Sequence, residues 1–242
     1  MSEDDLRIER HGATFTFVLD RARKRNALSA PLVEALIRGV AEAHGEGARL
    51  LVFRGEGASF SAGFDFSDID EVTDAELLRR FVRVEMLLQM IARSPCLTLA
   101  LTHGRNFGAG VDLAAVCRWR IAAPDATFRM PGLKFGIVLG TRRFARIVGG
   151  EEARAILEVA RSFGATEARE IGFITRIAEP ETWPDIVAEA RGAAEALPDE
   201  ARASLYAATG ELDDDRDLAL LVRSAATPGL GERIRAYIKA SR

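Results

Sequence analysis

A loop with two glycines, HGRNFGAGVDLAAVC (residues 103–117), follows a predicted strand and runs directly into a predicted helix. Gly108, Ala109 and Gly110 lie where the N-terminal N–H groups of that helix converge, so the loop can stabilise negative charge. Asp112 falls in the first helical turn, where an acid can transfer protons or can simply interact favourably with the helix dipole. The loop therefore indicates an anion-stabilising site, with close packing of strand and helix as the structural alternative.

The phosphate-binding motifs that use such loops do not fit this sequence. A dinucleotide fingerprint needs a third glycine, and Leu113 occupies its position. A P-loop needs a Gly-Lys-Ser or Gly-Lys-Thr run, which the loop lacks. We therefore expect the N–H groups of the loop to face a group smaller than a phosphate.

A second loop, GEGASFSAGFDFSDID (residues 55–70), also follows a predicted buried strand and turns sharply at Ala62-Gly63. Each of the two loops can contribute one N–H group to a shared site. Two backbone donors that converge on one carbonyl oxygen form an oxyanion hole, which stabilises a thioester as it enolises or is attacked at its conjugated alkene. The pair of loops thus predicts carbonyl chemistry if the fold brings them together.

Strands and helices alternate along the chain and position these loops. The segment ATFTFVLD (residues 13–20) alternates with period two and pairs with the preceding LRIERHG, which predicts a hairpin. Two amphipathic helices follow, one capped by Ser29 and one opened by a Thr73 to Glu76 capping box. After Pro184 the pattern is almost wholly helical. This order predicts an α/β chain.

Composition narrows the class of protein. The 242 residues are 48% hydrophobic with a net charge of −3, which predicts a globular chain and argues against a nucleic-acid partner. No apolar run is long enough to cross a bilayer, and the acidic start MSEDDLRIER is unlike a signal peptide, so we expect no membrane partner and a cytoplasmic location. Cys96, Cys117 and the three scattered histidines lack metal-ligand spacing, so we expect no metal site.

These motifs resemble those of the crotonase superfamily, the enoyl-CoA hydratase/isomerase family. The resemblance runs from DRARKRNALS through ASFSAGFDF and the glycine loop to GATEAREIGFITRI. It implies a crotonase-like (ClpP/crotonase) α/β spiral of strand-strand-helix units, with a core domain at residues 1–183 and a helical C-terminal region at residues 184–242. It also implies a homotrimer or dimer of trimers, or hexamer, and a role in fatty acid metabolism.

The resemblance assigns the two oxyanion donors to the N–H groups of Ala62 and Ala109. It implies an acyl-CoA thioester as substrate, with coenzyme A as part of the substrate and no separate cofactor. Lys239 is a weaker candidate for contact with CoA, and a solvated face is the alternative for the basic run RARKR. The residues expected to contact the CoA thioester are Arg23, Lys24, Ala62, Gly63, Phe64, Asp65, Gly108, Ala109 and Gly132.

The catalytic acids differ from the family pattern. Family hydratases use two glutamates, and the matching positions here are Asp112 and Gly132. One carboxylate is therefore shortened and the other is missing, which argues against ordinary hydratase chemistry because catalytic geometry tolerates little displacement. The implied function is an acyl-CoA enzyme with Asp112 as acid/base. An isomerase, a decarboxylase, a thioester hydrolase and a non-catalytic acyl-CoA-binding homologue are the alternatives.

Four further residues have structural interpretations beside functional ones. Asp65 is expected to close a turn, and His103 is expected to hold the glycine loop rather than to shuttle protons. Glu85 could face inward and replace the missing acid, but its helical spacing favours a partly exposed flank. Leu139 replaces a family proline, so the acyl pocket is expected to have a different shape.

Overall fold

The computed structural model describes residues 5–210 and 212–241 and shows a six-stranded sheet with helices on both faces. A smaller three-stranded sheet lies beside it. The nine strands are β1 (Leu6–His11), β2 (Thr14–Leu19), β3 (Leu50–Gly55), β4 (Leu97–Thr102), β5 (Arg105–Phe107), β6 (Trp119–Ala122), β7 (Thr127–Arg129), β8 (Phe163–Gly164) and β9 (Arg176–Ile177).

Ten α-helices and three short 3-10 helices connect and cover these strands in the described residues. The α-helices are α1 (Ala30–Gly45), α2 (Asp74–Ala92), α3 (Ala109–Ala115), α4 (Thr141–Val148), α5 (Gly150–Leu157), α6 (Ala165–Glu170), α7 (Trp183–Glu195), α8 (Asp199–Thr209), α9 (Asp214–Ala225) and α10 (Leu230–Ala240). The 3-10 helices are Ala22–Lys24, Gly132–Phe135 and Pro180–Thr182. From Trp183 onward, every secondary-structure element in the described residues is therefore a helix.

The large sheet has the order β1-β2-β3-β4-β6-β9, and the small one has the order β5-β7-β8. The predicted hairpin is confirmed, because β1 pairs antiparallel with β2 from Leu6↔Leu19 to His11↔Thr14. The remaining pairs of the large sheet are parallel. Parallel strands end at the same edge of a sheet, so the loops that leave β3 and β4 start side by side.

Alternation along β3 divides the core between the two faces of the sheet. Leu51 and Phe53 point into a cluster with α1 and α2, whereas Leu50 and Val52 point into a cluster with α7. All four side chains are fully buried, as expected for a central parallel strand covered on both faces. The sheet is thereby fixed as a rigid base for the loops that leave its edge.

Helix starts agree with the capping signals in the sequence. Ser29 Oγ accepts from Leu32 N–H at the start of α1, and Thr73 Oγ1 accepts from Glu76 N–H at the start of α2. These bonds satisfy N–H groups that have no partner within the helix. Both helix starts are confirmed.

The C-terminal helix α10 is attached to the core through one carboxylate. Asp74 accepts hydrogen bonds from the N–H groups of Gly229, Leu230 and Gly231 at 3.0, 3.0 and 2.8 Å. These bonds keep the pKa of Asp74 below its usual value. Helix α10 thus has its N-terminus fixed to the first turn of α2.

We expect Asp74→Ala to lower the free energy of unfolding by about 1 kcal/mol, since it removes a capping carboxylate. Because the folded-state pKa is lowered, the stabilisation is present above the unfolded-state pKa and is lost as pH falls through the folded-state value. Urea unfolding of both proteins at neutral and acidic pH measures this. An equal difference at the two pH values would contradict the capping role.

Candidate active site

Two backbone hydrogen bonds and one β-bridge hold the two loops of the predicted site against each other. Phe60 N–H donates to His103 O at 3.1 Å, and Phe107 N–H donates to Ser61 O at 3.2 Å. Ser59 also forms an antiparallel bridge with Gly104. The loop that follows β3 and the loop that follows β4 therefore meet, as the oxyanion-hole hypothesis requires.

Gly63 allows the closest approach of these loops. Its backbone has a φ of +78°, and a Cβ added there would overlap the Phe107 carbonyl oxygen and lie 3.1 Å from Ala109 N. Only glycine combines this backbone conformation with so little space. The first loop consequently contacts the start of α3.

The N–H group of Ala109 is available to a ligand. Gly108 precedes α3 with a φ of +46°, and Ala109 is the first helical residue. Among the described residues, Ala109 N–H has no acceptor, as is usual for the first turn of a helix. Of the two predicted donors, Ala109 therefore has an N–H group that is free to bind a ligand.

The assignment of the other donor to Ala62 is wrong. Ala62 N–H donates to Arg25 O at 2.8 Å, so it is already engaged within the chain. Arg25 directly follows the 3-10 helix Ala22–Lys24, 37 positions before Ala62, and local spacing gives no sign of this bond. If the first loop contributes an oxyanion donor, that donor must be an N–H group other than that of Ala62.

Phe64 is the residue of the first loop whose N–H group is available. A parallel bridge joins Phe64 to Leu28, with Leu28 N–H donating to Gly63 O at 2.7 Å and Asp65 N–H donating to Leu28 O at 3.3 Å. In such a bridge the bonds use the neighbours of the central residue, so Phe64 N–H points away from Leu28. No described residue accepts a hydrogen bond from it.

A cavity of about 230 Å³ lies beside the two free N–H groups. Its wall is mostly apolar, and the described lining includes three titratable side chains, those of Arg25, Asp112 and Tyr237. Asp112 is the one acid among them. The other lining residues are Ala62, Phe64, Phe66, Phe81, Phe107, Gly108, Ala109, Met130, Pro131, Gly132, Leu133, Phe135, Ile137, Leu139, Thr141 and Leu157.

Asp112 is buried and has no hydrogen-bond partner for its carboxylate. Only 3% of the residue is exposed, and Oδ1 is sealed from solvent without a donor. The backbone of Gly140, just before α4, lies against this oxygen so closely that any Cβ there would overlap it. Burial raises the pKa of Asp112 well above its ordinary value, the Arg143 charge opposes this effect, and the Glu85 charge adds to it.

Glu85 is the second acid that the structure brings near Asp112, and it is fully buried. The expectation of a partly exposed flank is wrong, because Arg143 donates to both carboxylate oxygens of Glu85 and Gln89 Nε2 donates to Oε1 at 2.8 Å. Local spacing does not reveal this pair, because Arg143 lies 58 positions after Glu85, on the short helix α4. Glu85 does not line the cavity, so it does not replace the missing glutamate.

The position of the missing glutamate is part of the cavity. Gly132 opens the 3-10 helix Gly132–Phe135, and its carbonyl accepts from Ile137 N–H at 2.9 Å. A Cβ at Gly132 would lie 3.1 Å from Ile137 O, so the chain is closely packed there. Leu139, at the family's proline position, also lines the cavity.

The remaining predicted contacts lie outside this cavity. Gly63 is not among the residues that line the cavity, and Asp65 is engaged by Arg21 and by Ser67 N–H at 2.9 Å, which confirms its structural interpretation. Arg23 has 75% of its side chain exposed and lines a neighbouring groove of about 740 Å³. Lys24 is exposed on the same turn. For both basic residues, contact with CoA stays a prediction.

His103 has the structural contact that was expected of it. Its Nε2 lies 2.8 Å from Gly57 O, which connects the start of the glycine loop to the start of the loop that follows β3. His103 is not among the residues that line the cavity. The structure therefore supports a loop-holding role.

The fold and the site together define an α/β protein with paired backbone donors beside a buried acid. A family model for enoyl-CoA hydratase/isomerase matches residues 9–230. The chain belongs to the enoyl-CoA hydratase/isomerase family, and its α/β fold is the crotonase fold with a helical C-terminal region.

Individual relatives agree with this assignment. A Mycobacterium tuberculosis protein named as a probable enoyl-CoA hydratase is 34% identical over 177 residues, which are 71% of each chain. A Bordetella parapertussis structure named for the enoyl-CoA hydratase/isomerase family is 58% identical, has a TM-score of 0.96 and covers 97% of this chain and 98% of its own. The enoyl-CoA hydratase structure from Bacillus halodurans, at 22% identity and TM-score 0.85, shares the fold and covers 96% of this chain and 99% of its own.

No described helix is both long enough and apolar enough to span a bilayer. Within the same residues, no three His, Cys, Asp or Glu side chains are grouped so that they could hold a metal ion.

Proposed function

We propose that this protein processes an acyl-CoA thioester by stabilising its enolate, with the thioester oxygen bound by the N–H groups of Phe64 and Ala109. The availability of both N–H groups beside one cavity carries this proposal. Two such donors stabilise negative charge on oxygen more strongly in a dry site than in water. Asp112 is the acid/base, because it is the acid that lines the cavity.

The acyl group that fits is uncharged and apolar. Five aromatic rings form a continuous wall, in the order Phe81, Phe64, Phe66, Phe135 and Tyr237, with neighbouring ring centroids 4.1 to 5.8 Å apart. This wall offers no partner for a charged tail, and leaving such a tail unpaired there would be costly. Coenzyme A enters as part of the substrate, with Arg23 and Lys24 as the proposed contacts for its phosphates.

One acid suits an isomerisation, in which a single group removes a proton and returns it at another carbon. A thioester hydrolase uses the same oxyanion hole. A decarboxylase uses it too, but its substrate carboxylate would need Arg25 of the cavity lining as a partner in place of the aromatic wall. Gly132 supports a second candidate of another class, a non-catalytic acyl-CoA-binding protein, because the second carboxylate of a hydratase is missing. The homotrimer or dimer of trimers, the cytoplasmic location and the link to fatty acid metabolism stay predictions.

Calorimetry with crotonyl-CoA and with free CoA, combined with turnover assays, separates the two classes. We expect crotonyl-CoA to bind more tightly than free CoA, since the acyl group adds apolar burial and two N–H donors. We also expect turnover of at least one thioester among conjugated, β,γ-unsaturated, carboxylated and saturated acyl groups. Tight binding without turnover on the whole panel would favour the binding protein, and equal affinities would contradict the oxyanion hole.

A further inference from the structure

A buried group of charges lies behind Asp112, outside the cavity. Glu85 and Arg143 form a bidentate pair and are only 1% and 6% exposed. Asp217 is 3.6 Å from Arg143 Nε and pairs with Arg142 at 2.6 Å. Burying a charged pair in a protein interior costs free energy, and a role in function can explain why such a group is present.

The position of Arg143 makes it the natural counter-ion of Asp112. Arg143 lies one helical turn after Gly140, whose backbone contacts Asp112 Oδ1. Yet Arg143 donates no hydrogen bond to Asp112, because both of its terminal nitrogens are directed at Glu85. Glu85 is itself held by Gln89, which also donates to Asp214 O at 3.0 Å.

The charged groups around Asp112 come from several elements. Helix α4 contributes Arg142 and Arg143, helix α2 contributes Glu85, and helix α9 contributes Asp217. The lining of the cavity adds the titratable residues Arg25 and Tyr237. Glu85 and Arg143 are the two whose charges act on Asp112 most strongly after burial itself, and they act in opposite directions.

We propose that Glu85 is a positioning residue that holds Arg143 away from Asp112 and so controls how readily Asp112 binds and releases its proton. The inference rests on the proposed role of Asp112 as acid/base. With Arg143 engaged, the uncharged form of Asp112 is favoured and exchanges its proton only toward the cavity. Without Glu85, Arg143 is free to pair with the Asp112 carboxylate and to hold it ionised.

The test is the titration of Asp112, followed by the infrared carbonyl band of its protonated carboxyl. Subtracting the spectrum of Asp112→Asn isolates this band, and the measurement needs no turnover. We expect Glu85→Gln to lower the titration midpoint and Arg143→Gln to raise it, each by about one pH unit or more. If the proposed function failed while this inference held, the protein would show no turnover, but the order of the titration midpoints would be as predicted.

Each single variant leaves one buried charge unpaired and can fail to fold for that reason. A double variant avoids this problem. Glu85→Gln/Arg143→Gln removes both charges, and its midpoint should lie above that of Glu85→Gln, because no guanidinium is left to pair with the Asp112 carboxylate. Where Arg143→Gln folds, its midpoint should be higher still.

Glu34→Gln is the matched control. It breaks the pair between Glu34 on α1 and Arg83 on α2, away from Asp112, and should leave the midpoint unchanged. Unaltered midpoints in the folded Glu85 and Arg143 variants, or shifts of both single variants in one direction, would overturn the proposal. So would a double-variant midpoint at or below that of Glu85→Gln. If the enzyme turns over a thioester, the pH profile of kcat should move with the same midpoints.

Discussion

Asp112→Asn is expected to abolish turnover while leaving thioester binding within about threefold of the wild type. The amide has nearly the same shape as the carboxylate but cannot accept and return a proton, and general acid–base catalysis contributes about 10²- to 10⁴-fold to rates. Binding is retained because the Phe64 and Ala109 N–H groups and the aromatic wall are unchanged. Steady-state turnover and calorimetry on the same preparation measure both quantities.

The stability of this variant gives an internal check. The pKa of Asp112 is raised in the folded state, so the unfolded state releases this proton at lower pH, and stability falls as pH rises above the unfolded-state pKa. Asp112→Asn should therefore have a Tm equal to or above that of the wild type at neutral pH. Asp70→Asn, at an exposed position, is the control and should change neither activity nor Tm. Wild-type turnover in Asp112→Asn would remove Asp112 from the mechanism.

Gly63→Ala is expected to reduce turnover by about 10²-fold or more, the loss typical of one missing oxyanion donor. The added Cβ would overlap the Phe107 carbonyl oxygen, so the loop that carries Phe64 must move away from the loop that carries Ala109. The two N–H groups would then no longer meet at one oxygen. Turnover measured on folded protein, with circular dichroism to verify the fold, tests this.

Gly12→Ala separates backbone strain from loop separation. Gly12 also has a positive φ, +60°, but a Cβ there would contact nothing within 4 Å. This control should lose a modest amount of stability, about 1–2 kcal/mol, and no activity. If Gly63→Ala retained full turnover, the two loops would not form the oxyanion hole.

Local patterns in the sequence were sufficient for the elements that position the site. The period-two alternation of residues 13–20, the Ser29 cap and the capping box at Thr73 each report an interaction within a few residues. Such interactions depend on local geometry, and the structure confirms the elements they predict. The two loops could be placed for the same reason, since each follows a recognisable buried strand.

The errors concern contacts between distant segments. Ala62 N–H is engaged by Arg25 O, which lies 37 positions earlier in the chain, and no local signal reveals that bond. Glu85 is buried because Arg143, 58 positions later, neutralises it, whereas an isolated glutamate at that spacing would favour solvent. Both corrections needed the tertiary structure. Phe64 replaces Ala62 as the proposed donor, and a buried charge pair is added behind Asp112.

The most direct test of the account is exchange of the α-proton of butyryl-CoA in deuterated water, followed by mass spectrometry. This exchange requires an enolate, whatever reaction the enzyme completes, so it tests the oxyanion hole and the acid/base together. We predict deuterium incorporation with the wild type and incorporation at the uncatalysed rate with Asp112→Asn. Equal exchange in the two proteins, or no exchange in a wild type that binds butyryl-CoA, would contradict the account.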